Sequence, residues 1–181
     1  MSLLALYSRL RQGLGFCALF ALYLAGLALI FDRLESVFGT LYLYPVSWAA
    51  AFLLDLVGVP VQLDSGPLAA GFCVLEMEAI VFHVTFECTG VFALLIYFAA
   101  VLAYPASVGS RAWGLLAGGP AFFAYSVARL LVLGVVARLA PDWTQFFHLY
   151  LLVFMNVGFM LFAWSSWVNR VAQPSRGHNP S

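Results

Sequence analysis

The stretch AWGLLAGGPAFFAYSVARLLVLGVV, Ala112 to Val136, decides the fold. It is apolar almost throughout, and it exceeds the roughly 20 residues an α-helix needs to cross a bilayer. It also holds one arginine, Arg129. Insertion scales put an arginine at a span centre at about +2.5 to +3.5 kcal/mol, and intramembrane charges mark functional sites by default. Gly118-Gly119-Pro120 sits in the same run and predicts a kink. The stretch therefore reads as a kinked membrane helix with a buried cation.

The rest of the chain agrees with that setting. Of 181 residues, 64% are hydrophobic and 9% charged, against about 25% charged in a soluble domain. Lipid is the solvent such a surface suits. Eight basic residues balance eight acidic ones, which points away from a nucleic-acid partner. The three cysteines, Cys17, Cys73 and Cys88, form no CxxC pair, so neither a disulfide framework nor a zinc site is suggested. No cofactor is expected. A membrane thiol oxidoreductase would need paired cysteines.

Three further apolar runs flank the first: Leu14 to Phe31, Val91 to Tyr104 (extended back through Thr89) and Phe146 to Val168. The expected spans are about 14–31, 89–105, 112–138 and 145–168. Asp32-Arg33-Leu34-Glu35 follows the first run where a signal peptide would have small residues, so that run reads as a retained anchor. The class is an all-α polytopic membrane protein with about four transmembrane helices. A single membrane-embedded domain covers 1–172, and a polar tail covers 173–181.

Arginine placement sets the orientation. Arg9, Arg11, Arg111, Arg170 and Arg176 flank the runs on one side, which the positive-inside rule makes cytoplasmic. Residues 32–88 then lie outside. Within them, Pro45 and Gly58 bracket a helix over 45–58 that is too short to span, so it reads as interfacial or re-entrant. Phe72 to Glu87 is rich in Val, Phe, Thr and Ile. With Val59–Leu63 upstream it reads as a small extracytoplasmic β-hairpin or ribbon. The alternative makes 37–57 a span and 67–86 its return, but Glu76, Glu78, His83 and Glu87 would burden that return.

Three residues in this frame could carry chemistry. Cys88 lies at a helix N-terminus, whose partial positive charge favours a thiolate. The backbone N–H groups of Thr89 and Gly90 could hold an oxyanion, while Glu87 would oppose the thiolate. His148 falls at the same level, and Arg129 lies in the outer half of its span. Together they supply a nucleophile, a general base and an oxyanion stabiliser. Each also has a structural reading: Cys88 as apolar filler, His148 as an interfacial residue beside Trp143 and Tyr150, and Arg129 as the partner of an acid. The last fits a non-enzymatic scaffold or transporter subunit.

At these residues the chain resembles the exosortase/archaeosortase family. The resemblance rests on Cys-Thr-Gly at 88–90, the arginine at 129, Phe-His at 147–148 before a last span, and Leu-Leu-x-x-x-Gly-Val-Pro-Val at 53–61. It covers roughly 43–168, and the small size is similar to the exosortase H type. The family implies a cysteine transpeptidase of the bacterial inner membrane, with its site at the outer face. Its substrates would be membrane-anchored proteins with C-terminal sorting signals. By that resemblance Cys88 is the nucleophile and Arg129 and His148 complete the catalytic set, with Thr89, Gly90 and Ser126 as substrate- or oxyanion-binding neighbours. Ser126 departs from the family pattern, which often has asparagine there.

Overall fold

A computed structural model describes residues 3–77 and 80–172. The tail expected at 173–181 lies outside the described residues, as does Glu78. Helix α1 covers Leu3–Arg33. Helix α2 covers Glu35–Leu56. Strands β1 (Val61–Asp64), β2 (Phe72–Met77) and β3 (Ile80–Thr85) follow. Then come a single turn α3 (Phe86–Thr89), α4 (Val91–Ala103) and α5 (Val108–Leu139). The chain ends in α6 (Pro141–Tyr150) and α7 (Leu152–Ala172).

Among the described residues, three helical stretches are long and apolar enough to cross a membrane: Arg11–Arg33, Glu35–Leu56 and Val108–Leu139. The bent pair Pro141–Tyr150 and Val153–Val171, angled by 41°, makes a fourth if it counts as one span. This is the build of a membrane protein, but the set of long helices differs from expectation in two places.

The helix expected over 45–58 begins instead at Glu35. Pro45 has no N–H to offer Leu41, and the sequence invites a helix start there. The backbone instead passes through a π-turn at Gly39–Leu43, where the Tyr44 N–H bonds the Gly39 carbonyl. The helix is thus 22 residues long, not too short to span. It ends at Gly58, whose φ of +83° only glycine adopts readily. Along its length α2 lies under the sheet: Gly39 faces Leu68, and Leu43, Val46 and Ala50 pack with Cys73, Leu75 and Val84.

The span expected at 89–105 is a 13-residue helix, Val91–Ala103. At 1.5 Å per residue that is about 20 Å, short of the roughly 30 Å hydrocarbon core. Gly90 stops it upstream with φ +72°, and Tyr104 turns extended before Pro105. The helix is the buried hub. Its Ala93, Leu94, Tyr97 and Val101 pack with Phe122 of α5 and Trp167 of α7.

The expected hairpin is a three-stranded antiparallel meander, order β1-β2-β3. The register Cys73↔Val84, Leu75↔Phe82 and Met77↔Ile80 puts Cys73, Leu75, Val84 and their neighbours on one face. That face closes the core with Val127 and Leu130 of α5. The outer face carries Phe72 stacked on His83 at 5.2 Å.

Helix α5 continues through Pro120 from Val108 to Leu139. Its start meets the ends of α4 and α7. The Tyr97 hydroxyl donates to the Gly114 carbonyl at 3.1 Å, and Trp167 Nε1–H donates to the Ser110 carbonyl at 3.0 Å. Arg111 and Arg170 belong to this end of the bundle. The sheet, α3 and α6 gather at the other end.

Candidate active site

The site grows from the segment Thr85-Phe-Glu-Cys-Thr-Gly90. β3 ends at Thr85, whose extended backbone (φ −98°, ψ 172°) caps the single turn α3. Phe86 anchors that turn, its ring edge-on to Phe31 at 5.0 Å. Thr89 is fully buried and donates its hydroxyl to the Phe86 carbonyl at 2.8 Å. These two inward residues leave Cys88 half-buried on the turn's other side.

Thr85 spends its hydroxyl on the thiol and not on a helix cap: Oγ1 lies 3.5 Å from Cys88 Sγ. The Cys88 thiol in turn reaches the His83 carbonyl at 3.9 Å. Burial alone would push the thiol pKa up. Side-chain hydrogen bonding from His148 outweighs it, together with the Thr85 hydroxyl, the Thr85 backbone N–H and the His148 charge. The pKa is brought down to about 7. A large thiolate fraction at neutral pH follows.

His148 arrives from α6, in a second π-turn at Phe147–Leu151. Single π-turns inside helices often mark functional positions. Cys88 and His148 line one cavity of about 370 Å³, whose other walls are mostly apolar: Leu54, Leu75, Phe82, Leu130 and Leu133 among them.

Arg129 is buried at 6% exposure. The charges that reach its guanidinium are those of Tyr125 and Cys88, and it acts in turn on His148. No carboxylate among the described residues acts on it. Its Nη1 packs on Gly90, 3.7 Å from where a Cβ would stand. The three residues singled out from sequence are therefore within mutual electrostatic range.

The three neighbours fare differently. Gly90 lines the guanidinium directly. Ser126 is fully buried, and its hydroxyl donates to the Thr89 carbonyl, with the Phe122 carbonyl at 2.7 Å and the Tyr42 hydroxyl at 2.9 Å. Ser126 and the Thr89 side chain are thus bound up inside the protein. They hold the backbone of the turn and do not face the cavity.

Sequence reading missed Thr85, Asn156, Tyr125 and Thr144. Asn156 Oδ1 stands 2.8 Å from where a Gly90 Cβ would be. Four buried side-chain atoms without a hydrogen-bond partner belong to residues of this region: His148 Nδ1, Asn156 Oδ1, Tyr125 OH and Thr144 Oγ1. Buried polar groups are nearly always paired, so such a group marks a strained or working region. A signal for Asn156 was present, since it is the one amide in the apolar run after His148.

Comparison of the chain with protein-family models, curated proteins and solved structures finds no match.

Proposed function

We propose that this chain is a membrane-embedded cysteine peptidase or transpeptidase, as its resemblance to the exosortase/archaeosortase family implies. The observation that carries the reading is the shared cavity: a thiol with a pKa of about 7 opens into the same apolar space as a histidine. A buried guanidinium, on which no carboxylate acts among the described residues, lies close by. Structural cysteines rarely have such company.

In the proposed reaction the Cys88 proton passes to His148. The thiolate attacks a peptide carbonyl of a C-terminal sorting signal, forming a C–S bond. Arg129 stabilises the oxyanion. The C–N bond then breaks, and His148 returns its proton to the departing amine, which leaves with the substrate's membrane tail. Water or an acceptor amine or hydroxyl attacks the thioester and releases Cys88. Thr85 tunes the thiol, and Ser126 holds the turn against α5.

Arg111 and Arg170 at the end away from the site support a cytoplasmic placement for that end. The site then faces the periplasm of a bacterial inner membrane. The test is co-expression of the chain with C-terminally anchored candidate proteins, followed by mass analysis of their new C-termini. Wild type should shorten a substrate, and Cys88→Ala should leave it intact in the membrane. Normal shortening by Cys88→Ala would overturn the mechanism.

A further inference from the structure

Strand β3 has a neighbour on one side only: β2 pairs with it, and no strand takes its other edge among the described residues. Met77 pairs with Ile80 in the antiparallel register, and ladder bonds fall on alternate residues of such a pair. Alternation then turns the N–H and C=O groups of Val81, His83 and Thr85 outward. The site agrees with this parity, because the Cys88 thiol meets the His83 carbonyl and the Thr85 N–H. Cys88 thus closes the last slot of an open strand edge. Both backbone groups of Val81 and the N–H of His83 remain open beyond it, on exposed residues.

Beneath the same strand lies the 370 Å³ cavity, with Phe82 and Leu133 in its walls and Cys88 and His148 beside them. A leucine-sized side chain fits such a space, whereas a charged one would be stripped of water without a partner. Edge addition gives a peptide main-chain bonds, while pockets for alternate side chains give selectivity.

We propose that the substrate binds as an added strand on the free edge of β3, with a bulky apolar side chain next to the scissile carbonyl seated in this cavity. The inference rests on the cysteine-peptidase reading and names the substrate form that the site takes. The open edge leads the peptide to the thiol, and the cavity fixes which residue stops there. Because alternate backbone groups of an added strand face β3, alternate peptide amides should matter.

The test uses the full chain in lipid nanodiscs and acetyl-tetrapeptide chloromethylketones ending in Leu, Ala, Asp or Lys. The thiolate displaces chloride and forms a thioether, so labelling of Cys88 reports binding next to the thiol. Iodoacetamide labelling of Cys88 serves as the reference. The leucine probe should label at least tenfold faster than the aspartate and lysine probes. N-methylation of its backbone amides, one at a time, should slow labelling tenfold at one amide and little at the next. Leu133→Phe, which narrows the cavity, should favour the alanine probe over the leucine probe. Equal rates for all four side chains, or N-methylation without alternation, would overturn the inference while iodoacetamide still reacts quickly. An iodoacetamide rate that is slow and indifferent to His148→Ala would overturn the catalytic reading and this inference with it.

Discussion

The Ser126 hydroxyl donates to the carbonyl of Thr89, tying the helix that bears Arg129 to the residue beside Cys88. Cys88 and Arg129 come from segments far apart in the chain, and this bond links the two segments. Tyr42 joins the same hydroxyl from α2, so three elements meet at one oxygen.

Removing that hydroxyl should loosen this link. Ser126→Ala leaves the buried Thr89 carbonyl without this donor and should destabilise the fold by about 1–3 kcal/mol. Substrate turnover should fall several-fold without vanishing, because no reacting group is lost. Thermal unfolding in detergent and single-turnover cleavage measure the two effects separately.

The thiol pKa of about 7 predicts a pH profile. The thiolate is the reactive form, so Cys88 alkylation should rise with pH, pass half-maximum near 7 and level off above. Below 7 the thiol is protonated and the rate declines about tenfold per pH unit. His148→Ala removes a hydrogen bond to the thiolate, so the midpoint should move up toward the ordinary cysteine range near 8.5. An unmoved midpoint in that variant would mean that His148 does not activate Cys88.

Gly90 is held at φ +72° with Asn156 Oδ1 and Arg129 Nη1 against it. Gly90→Ala meets two penalties. The left-handed backbone costs an L-residue about 1–2 kcal/mol, and the new methyl would stand 2.8 Å from Asn156 Oδ1. Lower thermal stability is expected, together with loss of cleavage. Adding Asn156→Ala should recover part of the stability by making room. A double variant no more stable than Gly90→Ala would rule out the steric part.

Arg129→Lys keeps the charge and loses the planar fork. If the guanidinium holds the oxyanion, cleavage should fall by about 10²–10³, the range for losing one such donor. Iodoacetamide alkylation of Cys88 develops no oxyanion and should change little. Parallel loss of both rates would assign Arg129 to holding the thiolate.

The long apolar runs are legible because length and composition alone separate lipid-facing helices from the rest. Cys88, Arg129 and His148 stood out because each is a reactive or charged group at the rim or inside of such a run. Two element boundaries were hidden. Pro45 looks like a helix start, yet the π-turn before it lets α2 pass through. Gly90 looks like part of a continuing helix, yet its positive φ separates α3 from α4. The support of the site was hidden for another reason. Thr85, Ser126 and Asn156 act through contacts with residues distant in the chain or with the backbone, and no periodicity reports those.

The site is assembled from parts spread along the chain in order: the turn carrying Cys88, then Arg129 on α5, then His148 and Asn156 at the last helices. During synthesis the thiol is therefore made long before its activating partner. The contribution of His148 to the low thiol pKa therefore requires the last helices to be in place.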